Sequence, residues 1–181
     1  IKALNQVSLT SSERAGVTVA AVSGSKSVAL AVDHLLTEIT LGQDSVLRTS
    51  YRNPHDADDH GIEIYAKDYL DVREVVDGTS VALKVSSDGK YAQINSTTKT
   101  RIKVYGTVDS AGFVRIHTDS DAEQKAITSV VNAELFSSGS YVKAENSLTR
   151  VVTITIGSGA KLIADYGTLS VIARSGQSDD I

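Results

Sequence analysis

Cysteine, methionine and tryptophan are absent from this chain of 181 residues, and Pro54 is its one proline. Without cysteine there is no disulfide, no thiolate metal centre and no thiol nucleophile. The compartment stays open, because oxidising surroundings permit disulfides without requiring them. Aromatic residues make up only 5%, so a core has to be assembled from Val, Ile, Leu and Ala, side chains that suit facing sheets. No apolar run comes near the roughly 20 residues of a membrane-spanning helix, and no signal-peptide pattern is present. The first residue is Ile1 and not Met. We read that as proteolytic maturation or an omitted leader, and so as a pointer to a secreted or virion protein.

What is present is the vocabulary of strands. The chain is 41% hydrophobic and 22% charged, ordinary for a soluble globular protein, and at 19.1 kDa it fits a single domain spanning residues 1–181. Apolar residues alternate with polar ones at Val7 and Leu9, turn signals follow over 11–16, and 17–22 returns, which predicts an N-terminal hairpin over 3–22. Further strands are expected over 61–66, 70–76, 80–86, 91–95, 100–107 and 112–117. Asp77-Gly78, Asp88-Gly89 and Ala111-Gly112 sit between them as turns. One segment departs from this rhythm. Ser120 with Glu123 has capping-box spacing, and Ala126, Ile127, Val130, Val131, Leu135 and Phe136 form a helical stripe ahead of Gly139. That predicts an amphipathic helix over 120–137, with C-terminal strands over 148–174. No repeat at solenoid or propeller period stands out. The expected fold is therefore mainly β, with antiparallel sheets in a sandwich-like or coat-like arrangement and one α-helix.

Chemistry-bearing patterns are few. His55, Asp56, Asp58, Asp59 and His60 crowd one loop, where alternate carboxylates suit Ca²⁺ and the two histidines suit Zn²⁺. The EF-hand spacing that begins at Asp56 breaks at its twelfth position, Lys67, where a bidentate Glu is required. The loop is thus either an acidic solvated turn or a metal or contact site. There is no Gly-x-Ser-x-Gly elbow, and five Ser-x-x-Lys matches in a serine-rich chain mark a chance pattern. Asp33 and His34 are neighbours on a predicted strand and point to opposite faces, and His117 reads as a packed or edge histidine. The expectation is a non-enzymatic protein with no cofactor.

Charge is unevenly placed. Residues 84–115 carry six basic side chains against two acids, and residues 56–77 carry eight acids against two bases. Lys99, Arg101, Lys103 and Tyr105 occupy alternate positions, so they share one face of one strand, with Ile102 and Val104 behind. That row suits phosphate backbones or another subunit, and equally a solvated face. Oppositely charged regions on one chain also suit stacking of copies.

The succession of N-terminal hairpin, basic sheet and a helix entered directly from a strand (Phe113-Val-Arg-Ile-His-Thr-Asp-Ser-Asp-Ala-Glu123) resembles, in layout, the coat proteins of single-stranded RNA bacteriophages over about residues 1–145. The resemblance implies a subunit that dimerises through its helices and presents the sheet to packaged RNA. The strands expected after residue 148 depart from that layout. The functional expectation is a self-assembling structural subunit of a virion, whether capsid, decoration or tube protein. Its partners would be copies of itself, packaged nucleic acid or other virion proteins, without membrane insertion. The alternative is an extracellular β-sandwich binding module or fibre subunit that recognises a glycan or protein partner at loops such as 53–61.

Overall fold

Alternating apolar and polar residues do make strands here, but every strand pairing among the described residues is parallel. The computed structural model describes residues 1–23, 26–50, 60–85, 88–137 and 140–176, with side chains described for 1, 30, 34–50, 60–76, 89–128 and 141–176. The strands are β1 (Lys2–Ser23), β2 (Lys26–Leu41), β3 (Val46–Thr49), β4 (Gly61–Val85) and β5 (Asp88–Val104). They continue as β6 (Thr107–Ser110), β7 (Phe113–Ser137), β8 (Ser140–Ile156), β9 (Lys161–Ala164) and β10 (Leu169–Ser175). Three sheets result, ordered β1-β4-β7-β10, β2-β5-β8 and β3-β6-β9. Each circuit of the chain therefore places one strand in each sheet. The chain winds through three coils and starts a fourth, which is the architecture of a β-solenoid.

The two long sheets face each other and the short one closes one end. Ile64 and Ala66 of β4, Ile102 and Val104 of β5, Val108 of β6, and Val114 and Ile116 of β7 are buried in one cluster, packed by Ile39, Leu47 and Ile154. A second cluster lies further along the long sheets, where Leu70 and Val72 meet Ile94 and Ala122. Between the two clusters runs a buried polar layer of Asp68, Ser96, Thr98, Thr100, Thr118 and Ser120. Within it, Thr98 Oγ1 and Ser120 Oγ lie 3.0 Å apart in a hydrogen bond that either hydroxyl can donate. Both carboxylate oxygens of Asp68 lack a hydrogen-bond partner among the described residues.

Backbone hydrogen bonds carry the stack around its corners. Tyr105 N–H donates to Leu41 O (2.9 Å), Gly157 N–H to Val104 O (2.8 Å) and Lys161 N–H to Gly106 O (3.1 Å). At the corner between β5 and β6, a Cβ on Gly106 would lie 2.3 Å from the Ser45 carbonyl oxygen and 2.5 Å from that of Gly42. Only glycine allows the coils to close up at that point.

Four expectations are corrected. The sheets are parallel, and residues 3–22, expected as a hairpin, run as one strand. Parallel sheets are usually covered on both faces and then read as continuous apolar runs. Here a solenoid leaves the outer face to solvent, so its strands alternate as antiparallel ones do. The helix expected over 120–137 is also absent. That segment is the second half of β7, paired residue for residue with β4 from Asp68↔Ser120 onward. Ser120, expected as a helix cap, points inward to Thr98, and Ala126 packs on the cores. The β-branched run Ile127, Thr128, Val130, Val131 was the local signal for strand, and a ladder on β4 outweighs a capping box.

The fourth correction concerns the period. The chain does repeat, but unevenly: 63 residues separate Lys2 from its partner Tyr65, and 52 separate Gly61 from its partner Phe113. The difference lies in the connections. Residues 50–60 join β3 to β4, whereas residues 111–112 alone join β6 to β7.

Candidate functional site

The row Lys99, Arg101, Lys103 and Tyr105 lies on or just beyond β5 with its side chains outward, because the alternating Thr98, Thr100, Ile102 and Val104 are buried. It is only partly a free basic face. Lys103 Nζ lies 3.0 Å from Glu38 Oε2 of β2, one coil away, and Arg101 is the registered neighbour of Glu38. The Lys103 ammonium, aided by Thr40 and Arg101, holds the Glu38 carboxyl below the usual carboxylate range. Lys99 is exposed and sits beside Leu36. Tyr105 packs at the corner, where a Cβ on Gly157 would strike its ring.

Of the loop expected to be acidic, His55, Asp56, Asp58 and Asp59 lie outside the described residues. His60 is described: it is half-buried and its carbonyl accepts from Phe113 N–H at 3.0 Å. Among the described residues no group of three or more His, Cys, Asp or Glu is placed to hold a metal ion, and no helix is long and apolar enough to cross a membrane.

Charge segregation along the sequence becomes charge pairing between coils. Arg48 of β3 meets Asp109 of β6 at 2.9 Å. Lys67 of β4 lies 3.0 Å from Asp121 and 3.6 Å from Asp119 of β7, and the bond to Asp121 raises the Lys67 pKa above its usual value. Tyr91 of β5 donates to Glu145 of β8, which also pairs with Lys143. These contacts lower the Glu145 pKa and raise those of Lys143 and Tyr91. Opposite charges on registered strands are the sheet counterpart of helical i,i+4 pairs.

The feature sequence reasoning missed is the end of the stack. β8 and β9 are terminal strands of their sheets, and β10 covers β7 only from Val114 to Ser120. Four apolar residues that end inward columns stand open. Val142 (47% exposed) follows buried Lys90, Ile156 (42%) follows Val104, Leu169 (48%) follows Val114, and Val171 (44%) follows Ile116. Between β7 and β8 the open end forms a cavity of about 550 Å³ lined by Ala122, Gln124, Asn146, Leu148, Arg150 and Ser175. The Arg150 guanidinium donates to the Ser120 and Ala122 carbonyls, each at 3.4 Å. The signal in the sequence was the inward parity of these apolar residues, legible only once the coil register is known. No family model, curated protein or solved structure matches this chain.

Proposed function

We propose that the chain is a self-assembling, non-enzymatic structural subunit that extends by adding parallel strands at the ends of its coil, as part of a virion or of a surface fibre. One observation carries the reading: among the described residues, β8, β9 and β10 leave sheet edges unpaired over inward-facing Val142, Ile156, Leu169 and Val171. Such an edge displays a row of unpaired backbone donors and acceptors and is a template for another strand. The partner surface is a parallel strand with apolar residues at every second position, which copies of this chain supply.

Sedimentation velocity across a concentration series, followed by negative-stain imaging, tests the proposal. The wild-type chain is expected to form oligomers or filaments. The double variant Leu169→Lys, Val171→Lys should stay monomeric with unchanged far-UV circular dichroism, because charges at an edge block strand addition. A wild-type chain that remains monomeric at the highest soluble concentration would sink the reading.

A further inference from the structure

On the outside of the first sheet, strands β4, β7 and β10 stack so that Glu63, Tyr65, His117, Asp119, Ile172 and Arg174 line a groove of about 260 Å³. These residues come from three successive coils, and the register sets them side by side: Tyr65, His117 and Ile172 form one row, and Lys67, Asp119 and Arg174 the next. The Tyr65 ring stands edge-on to His117, with centroids 6.3 Å apart and an interplanar angle of 88°. Burial of the Tyr65 ring, together with the nearby acids, raises its hydroxyl pKa. Lys67, at 3.6 Å, holds the Asp119 carboxylate on the sheet. Arg174 is exposed and has no carboxylate partner among the described residues.

We infer that this groove binds a neutral saccharide. Glu63 and Asp119 stand against Arg174 and Lys67, so the groove offers no net positive charge to hold an anion, which argues against phosphates, nucleic acid and uronates. The polar rim argues against a lipid or an apolar peptide. What the set offers is planar, two-pronged acceptors in Glu63 and Asp119 and a planar donor fork in Arg174, groups that match pairs of adjacent hydroxyls. Tyr65 and Ile172 add an apolar patch for the C–H face of a sugar ring. The volume falls just short of the roughly 300–1,000 Å³ of pockets for drug-sized ligands. It therefore suits about one or two rings of a longer glycan crossing the stacked strands. Because the groups sit on paired strands, binding requires little reordering.

Isothermal titration of the full chain with neutral hexasaccharides of glucose, mannose and N-acetylglucosamine, and with hexagalacturonate as the acidic counterpart, decides the matter. At least one neutral oligomer is expected to bind and hexagalacturonate is not. Arg174→Gln should weaken binding about tenfold or more, the usual effect of losing a charge-assisted hydrogen bond. Asp119→Asn should act in the same direction, and circular dichroism and the oligomeric state should be unchanged in the Arg174 variant, whose side chain is exposed. The inference is overturned if no neutral oligomer binds at millimolar concentration, if hexagalacturonate binds more tightly, or if Arg174→Gln binds as wild type does.

Discussion

Ile116 and Val171 occupy one inward column a coil apart, as do Val104 and Ile156. The second-coil residue of the Val104–Ile156 pair and the third-coil residue of the Ile116–Val171 pair are sealed from solvent, while their successors are more than two-fifths exposed. The residue types hardly differ. What differs is whether another strand lies above, so stability in this molecule belongs to the stacking of neighbouring coils and not to any one coil, as expected for a quasi-one-dimensional fold.

The largest test of that contrast is a pair of truncations. Ile116→Ala removes packed atoms from a sealed column and is expected to cost about 2–5 kcal/mol. Val171→Ala removes atoms already facing water and should cost about 1 kcal/mol or less. Denaturant midpoints with unchanged slopes would measure both. Equal losses at the two positions would mean that the end of the coil is covered in solution, and sedimentation of the wild type would show by what.

The same contrast explains how far the sequence could be read. Strands were legible because a solenoid wall has one wet and one dry face, which imprints a period of two on segments such as 99–105. Their direction was not, because a parallel and an antiparallel wall leave the same alternation when one face is in water. The β7 segment from residue 120 was misread because its capping-box spacing is a local signal, while the ladder to β4 that decides its state is long-range. The acidic loop and the basic row were visible as charge, but the partnership of Lys103 with Glu38 joins residues 65 apart in sequence. The saccharide groove draws on three coils at once, so no window of the sequence contains it.

A second test concerns the polar layer that separates the two apolar clusters of the middle coils. Asp68 is fully buried and its carboxylate has no partner among the described residues, whereas Ser120 at the registered position of the next coil shares a hydrogen bond with Thr98. An unpaired buried polar group costs about 1–3 kcal/mol, more when it is ionised. Asp68→Asn, nearly isosteric and able to donate to the neighbouring hydroxyls, should therefore stabilise the fold by about 1–2 kcal/mol. Destabilisation by a similar amount would show that the carboxylate is held by a group outside the described side chains, by a bound cation or by ordered water.

The smallest expected effect separates the two ends of the stack by charge. The first two coils are clamped by Glu38 and Lys103, one residue from each coil, whereas Lys143 and Glu145 of the third coil lie on the same strand and bind no later coil. Because Lys103 holds the Glu38 carboxyl below its ordinary value of 4.5, the folded pKa lies beneath the unfolded one. The stabilisation is then present above the unfolded pKa and disappears as pH falls through the folded value. Both side chains are substantially solvated, so the effect should be small and weakened by salt. Glu38→Gln is expected to lower the melting temperature slightly at pH 7 and to leave it equal to wild type near pH 3. Lys103→Gln should behave alike, and Lys99→Gln, which removes a neighbouring charge from the same row, should show much less of this acid dependence. A Glu38→Gln deficit that persists undiminished at pH 3 would assign the contribution of Glu38 to packing and not to its charge.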